Sequence, residues 1–202
     1  GHLRYFLCDS ESDFEVKSNG ATDRMCDWEM LPRSLTTVDL VSYNPVPARE
    51  FGDFALSLPL GLHILEVAQW SATATPAFSK ALPRTLTRLV AAAAQVTEEA
   101  FFEFLPPKLE DLRLKLVVSP ITGSVFRHLP STMDTLFVDQ FPGLQDEDLG
   151  LLPHRIRRMY WESDGAPLLT IEAAAFLHAG LSYIGGADEI WEKYLELHDR
   201  KS

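Results

Sequence analysis

Val96–Leu114 reads VTEEAFFEFLPPKLEDLRL, and its second half decides how the chain folds. The pair Leu105-Pro106 inside it returns at Leu31-Pro32, Leu58-Pro59, Leu82-Pro83, Leu129-Pro130 and Leu152-Pro153. In chain order the six pairs are 27, 24, 23, 24 and 23 residues apart. Two variable residues follow each pair, and then apolar residues spaced LxxLxL: Leu35, Val38, Leu40; Leu62, Leu65, Val67; Leu86, Leu89, Ala91; Leu109, Leu112, Leu114; Met133, Leu136, Val138; Ile156, Met159, Trp161. Degenerate copies flank these six. Leu3, Phe6 and Cys8 fit the slots at the front, and Leu177, Leu181 and Ile184 fit them at the back, with His178 in the proline slot.

An extended segment alternates its side chains between two faces, so Leu112 and Leu114 point one way while Asp111, Arg113 and Lys115 point the other. A strand of about five residues cannot bury its apolar face alone. Copies stacked at the spacing of paired strands, about 4.8 Å, satisfy the backbone and join the leucines into one core. Proline, with no N–H and a fixed φ, belongs at the corner before each strand.

The connecting halves carry a second pattern. Val96-Thr97-Glu98-Glu99-Ala100-Phe101 and Leu144-Gln145-Asp146-Glu147-Asp148-Leu149 both predict a short helix with a polar cap and acids in its first turn. With the period and the LxxLxL spacing, these stretches resemble the leucine-rich repeat, and most closely its cysteine-containing subclass, common in the substrate-recognising parts of F-box ubiquitin ligase subunits. The resemblance covers essentially the whole chain. It implies an α/β solenoid with parallel strands on the concave face and short helical or irregular returns, to which the residues near the C-terminus add a capping helix. The chain departs from the subclass where Cys or Asn is expected three residues past the last strand leucine: it has Tyr43, Trp70, Ala94, Val117, Phe141 and Asp164. An aromatic-lined variant is the expectation, with Phe78, Phe101, Phe104, Phe126 and Leu149 filling the space behind the strands. No F-box sequence is present in these residues.

At 202 residues and 46% hydrophobic, the chain supports one domain over 1–202, made of about eight coils. The first coil begins mid-repeat, which predicts a fragment of a longer protein. Asp9 to Asp27 forms the longest return, and Asn44-Pro45-Val46-Pro47 a rigid excursion. Gly185-Gly186 is expected to break the last strand. A capping helix is expected over 187–199, with an apolar stripe of Ile190, Trp191, Tyr194, Leu195 and Leu197. No apolar run approaches the roughly 20 residues of a membrane helix, and no leader is evident at Gly1. Cys8 and Cys26 make no disulfide framework, and no Asn-x-Ser/Thr sequon occurs, so an intracellular location is expected. The net charge of −11 disfavours binding to nucleic-acid phosphates.

The outward strand positions are the expected recognition face. They are acidic and aliphatic in the first half, whereas from Arg88 onward Arg88, Arg113 and Arg158 accompany the aromatics Phe137 and Tyr160. Arginine beside exposed aromatics is the composition of interface hot spots, so these five residues are the candidate partner-binding set. The competing reading is an ordinary solvated face on which Phe137 and Tyr160 form a cross-strand pair. His154 to Arg158 is the one basic cluster, and Arg155 and Arg157 need not face the way Arg158 does. Six histidines are scattered without metal-ligand spacing, and nucleophile-elbow, phosphate-loop and dinucleotide fingerprints are missing. No catalytic, cofactor or metal site is predicted. The expected function is non-catalytic protein binding through the concave face. Two alternatives stay open: a structural subunit contacting neighbours through its convex wall and the Asp9–Asp27 return, and an enzyme whose site converges only in space.

Overall fold

The computed structural model describes residues 31–40, 51–67, 73–117, 121–161, 169–185 and 188–199. Several expectations lie outside the described residues: the first repeat with Leu3, Phe6 and Cys8, the Asp9–Asp27 return with Cys26, the Asn44–Pro47 excursion, and Tyr43, Trp70 and Asp164. The side chains of Leu40 and Trp161 also lie outside the description.

In chain order the elements are β1 (Thr37–Leu40), α1 (Phe51–Ser57), β2 (Ile64–Val67), β3 (Thr73–Ala74), α2 (Pro76–Ala81), β4 (Arg88–Val96), α3 (Ala100–Glu103) and β5 (Asp111–Val117). There follow a 3-10 helix (Gly123–His128), β6 (Thr135–Gln140), a 3-10 helix (Asp146–Leu151), β7 (Arg158–Trp161), a 3-10 helix (Ile171–Ala175), β8 (Tyr183–Gly185) and α4 (Asp188–Asp199). The architecture is mixed α/β. Strands β1, β2, β4, β5, β6, β7 and β8 lie side by side in chain order, every pairing is parallel, and the short β3 pairs with the far end of β4. Among the described residues no helix is long and apolar enough to cross a membrane.

The Leu-Pro pairs set where each strand begins. Leu82, Leu129 and Leu152 hold φ between −60° and −62° and ψ between 137° and 139°, the extended region that a following proline imposes. The proline carbonyl then accepts the N–H three residues on, from Pro32 to Leu35, Pro59 to Leu62, Pro83 to Leu86, Pro106 to Leu109, Pro130 to Met133 and Pro153 to Ile156, at 2.9 to 3.0 Å. In the last turn the His178 carbonyl does the same for the Leu181 N–H at 3.3 Å. Side chains tie successive turns together: Thr85 Oγ1 donates toward the carbonyls of Leu60 and Leu62, and Thr132 Oγ1 toward those of Pro107 and Leu109. A second ladder marks each strand start. The carbonyls of Thr36, His63, Thr87, Glu110, Asp134 and Arg157 each accept two consecutive N–H groups of the next repeat.

The LxxLxL residues form one column. Leu65, Leu89, Leu112, Leu136, Met159 and Ile184 are register partners from strand to strand, as are Val67, Ala91, Leu114 and Val138, and all ten are buried in a single hydrophobic cluster. Behind them Phe78, Phe101, Phe126 and Leu149 are buried as expected, and Phe102 joins them. Phe104 does not; it is half-buried, with Lys80 Nζ 4.7 Å above its ring. Ala94, Val117 and Phe141 stand buried where the subclass has Cys or Asn, and Phe141 meets Phe126 edge-on at 5.7 Å.

The connections differ from expectation in detail. Thr97 does not cap α3, which starts three residues later at Ala100 with no side-chain cap; the Glu98 and Glu99 carbonyls instead accept the N–H groups of Phe101 and Phe102. The Leu144–Leu149 stretch does form a capped turn, but as a 3-10 helix, with the Gln145 N–H donating to the Asp148 carboxylate at 3.0 Å. Strand β8 ends at Gly185, the first residue of the pair expected to break it. Helix α4 lies against β8 and the 3-10 helix Ile171–Ala175. It buries Ile190 and Tyr194 and half-buries Trp191, whereas Leu195 and Leu197 of the expected stripe remain exposed.

Candidate functional site

Because register is kept from strand to strand, outward side chains form two rows across the sheet. One runs Ile64, Arg88, Asp111, Thr135, Arg158, Tyr183; the other Glu66, Val90, Arg113, Phe137, Tyr160, Gly185. All five residues expected to bind a partner, Arg88, Arg113, Phe137, Arg158 and Tyr160, stand on these rows. They divide into three groups with different surroundings.

Arg88 and Arg113 are engaged within the sheet face. Arg88 Nε lies 2.8 Å from Glu66 Oε1 as an ion pair, without the angle of a hydrogen bond, and Arg88 Nη1 is 3.5 Å from Asp111. Arg113 grips Asp111 with two hydrogen bonds of 3.1 Å. That bond to Asp111, outweighing the opposing effect of burial, raises the Arg113 pKa above its ordinary value. Glu66, Arg88, Asp111 and Arg113 thus form a chain of alternating charge across three strands. Sequence reasoning placed Glu66 and Asp111 on the outward face but missed their pairing with the arginines, although the opposite charges of Arg88 and Asp111 at equivalent positions one repeat apart were an available signal.

Arg158 is more exposed and reaches the other way. Its Nη2 lies 3.1 Å from Asp134 Oδ2, while Arg157 Nε approaches Asp134 Oδ1 at 2.5 Å. Burial alone would push the Asp134 carboxyl up, but the hydrogen bonds from Arg157, Arg158 and Thr135 overturn this and hold it below its ordinary value. Arg155, Arg157 and Arg158 line one depression with Glu110, Asp111, Asp134 and Thr135, so the basic cluster converges on acids of the preceding repeats.

Phe137 and Tyr160 begin an aromatic run that leads off the sheet. Their centroids are 5.9 Å apart; Tyr160 to Tyr183 is 5.0 Å, Tyr183 to Trp191 of α4 is 6.4 Å, and Trp191 stacks on Tyr194 at 5.0 Å. Gly185 makes room for this. A Cβ there would lie 2.5 Å from Tyr160 Cδ1 and 2.9 Å from Tyr183 Cε1, so the Tyr160 ring packs down onto bare backbone. The cross-strand pair and the exposed platform are therefore compatible: the rings touch one another and Tyr183 is still 42% exposed. Tyr183 was not singled out from the sequence, and Trp191 was placed in the stripe of the capping helix rather than on the recognition face.

His154 and His178 meet edge-on at 5.8 Å, as their equivalent corner positions predict. Among the described residues no three His, Cys, Asp or Glu side chains converge in an arrangement that would hold a metal ion. No protein-family model matches the chain, and no curated protein matches it significantly.

Proposed function

We propose that the chain is a leucine-rich-repeat-like solenoid that binds a protein partner through its concave strand face and performs no catalysis of its own. The observation that carries this reading is the aromatic run Phe137, Tyr160, Tyr183 and Trp191, four rings in file with Arg158 at its flank. Rings held by one another lose little freedom on binding, and Tyr, Trp and Arg are the residues that dominate interface energetics. Arg88 and Arg113 then act as a self-neutralised border. Their ion pairs remove free charge from the face and leave the platform to supply affinity. A recognition arm within a larger intracellular protein or assembly suits such a surface, and the likeness to F-box recognition repeats points the same way by analogy.

The test is capture from native extract with wild-type chain and with the triple substitution Phe137→Ala, Arg158→Ala, Tyr160→Ala. A partner held by the wild type and lost by the folded variant is expected; retention by the variant overturns the concave-face reading. One observation favours the structural-subunit alternative. Leu151, Ile171 and Phe176, on the connections at the opposite wall, are each more than 40% exposed. Ile171→Ser with Phe176→Ser would abolish capture under that alternative and leave it intact under the proposal.

A further inference from the structure

Six corners of the described sheet open with proline, and the seventh opens with His178. The substitution changes what holds the turn. The Gly180 N–H donates to His178 Nδ1 at 3.1 Å, so the imidazole itself is an acceptor inside its own corner. Such a nitrogen accepts only when unprotonated, which places the ring proton on Nε2. Nε2 is buried and makes no hydrogen bond, although the Ile156 backbone lies close by. The same corner anchors α4: Tyr194 Oη lies 3.2 Å from the His178 carbonyl and 2.9 Å from that of Leu181. Tyr194 is also the residue on which Trp191 stacks.

We infer that His178 is an acid-sensitive latch, whose protonation opens the 178–181 turn and releases α4 from the end of the sheet. A proton on Nδ1 removes the acceptor for the Gly180 N–H and sets two donors against each other. The side chains that act on the ring resist the new charge. From the preceding turn the ring meets His154, and His198 of α4 acts on it electrostatically, the charges of both imidazoles opposing a cation at His178, while the neutral Tyr194 hydroxyl is bonded to the carbonyls of the corner. The Ile156 backbone alone favours it. Burial first, and then His154, hold the His178 pKa below its ordinary 6.5. A histidine whose folded-state pKa is lowered takes up its proton more readily when the turn is open. Its contribution to closure is complete above about pH 6.5 and is lost as the pH falls through the lowered folded-state value. The inference goes beyond protein binding by the strand face and does not depend on it.

The test is amide hydrogen exchange of the whole chain at about pH 7.5 and about pH 5, with rates corrected for the intrinsic pH dependence of exchange. Protection of residues 188–199 is expected to fall severalfold at the lower pH. Two variants separate the latch from general acid loosening. His178→Asn keeps an acceptor oxygen near the position of Nδ1 without titrating, and His178→Pro restores the residue of the other six corners. Both should keep α4 protected at both pH values. Tyr194→Phe should lower protection at both. Unchanged protection in the wild type across the pH step overturns the latch, as does an equal acid loss in both variants. Loss of α4 protection at pH 7.5 in both variants overturns it too, since neither a neutral acceptor nor proline would then replace the neutral imidazole.

Discussion

Gly143→Ala is expected to be among the costlier single-methyl additions to this chain. Gly143 lies between β6 and the 3-10 helix Asp146–Leu151, where a Cβ would stand 1.9 Å from the Ile121 carbonyl oxygen, 3.0 Å from its carbon and 3.3 Å from Thr122 Cα. The obstacle is backbone of the preceding repeat, which cannot rotate aside as a side chain would. Relief requires the two connections to separate by more than 1 Å, on the order of the gap between 1.9 Å and ordinary carbon–oxygen contact. The edge-on contact of Phe126 with Phe141 lies in the same two connections and would be strained by that separation. Overpacking typically costs about 1–3 kcal/mol, and a backbone obstacle puts this case near 3, equivalent to a fall in Tm of roughly 6–12 °C for a chain of this size. The internal control is Gly61→Ala, where no atom lies within 4 Å of the added carbon and the change should stay within about 0.5 kcal/mol. Urea denaturation followed by circular dichroism measures both as shifts of midpoint at constant slope. Equal midpoints for the two variants would refute the claim that successive connections touch backbone to backbone.

Other perturbations probe other levels of the structure. Replacing Thr85 or Thr132 by Val removes the donor that bridges two carbonyls of the preceding turn and should cost about 1 kcal/mol each in the same denaturation assay. Asp134 has a folded-state pKa lowered from 3.8, so its contribution is present above that value and lost as pH falls through the lowered one. Wild type should therefore lose more stability than Asp134→Asn in acid titrations of thermal unfolding, and parallel curves would contradict the pairing with Arg157 and Arg158. A double-mutant cycle on Phe137 and Tyr160 should give a coupling of about 0.5–1.5 kcal/mol; zero coupling would mean the rings do not support one another.

The strand half of each repeat was legible because two local rules coincide there. Proline fixes the backbone of the leucine before it, and alternation then determines which of Leu112, Arg113 and Leu114 faces inward, without reference to any distant contact. The connections were less legible. Whether Ala100–Glu103 winds as an α-helix and Asp146–Leu151 as a 3-10 helix depends on how much room the neighbouring connection leaves, and Thr97 offered a cap that the tighter Glu98–Phe101 turn made unnecessary. The candidate surface was legible in position and only partly in state. Arg88, Arg113, Phe137, Arg158 and Tyr160 were placed on the right face by periodicity. That Asp111 binds both arginines, that Gly185 leaves room for the Tyr160 ring, and that Trp191 continues the aromatic file across an element boundary are facts of side-chain reach, which spacing alone does not encode.

Among the described residues, each strand's hydrogen-bonded neighbours in the main sheet are the strand before it and the strand after it, never one from a remote part of the chain. Loop closure therefore brings together points only about two dozen residues apart, which is entropically cheap and kinetically fast for a parallel sheet. On the proposed solenoid reading stability is a sum of neighbour terms, so damage at one repeat is expected to melt its own side of the molecule while the other persists. Stretched from its carboxyl end, the protein should come apart in instalments of similar length, like a zip-fastener rather than a snapped rod.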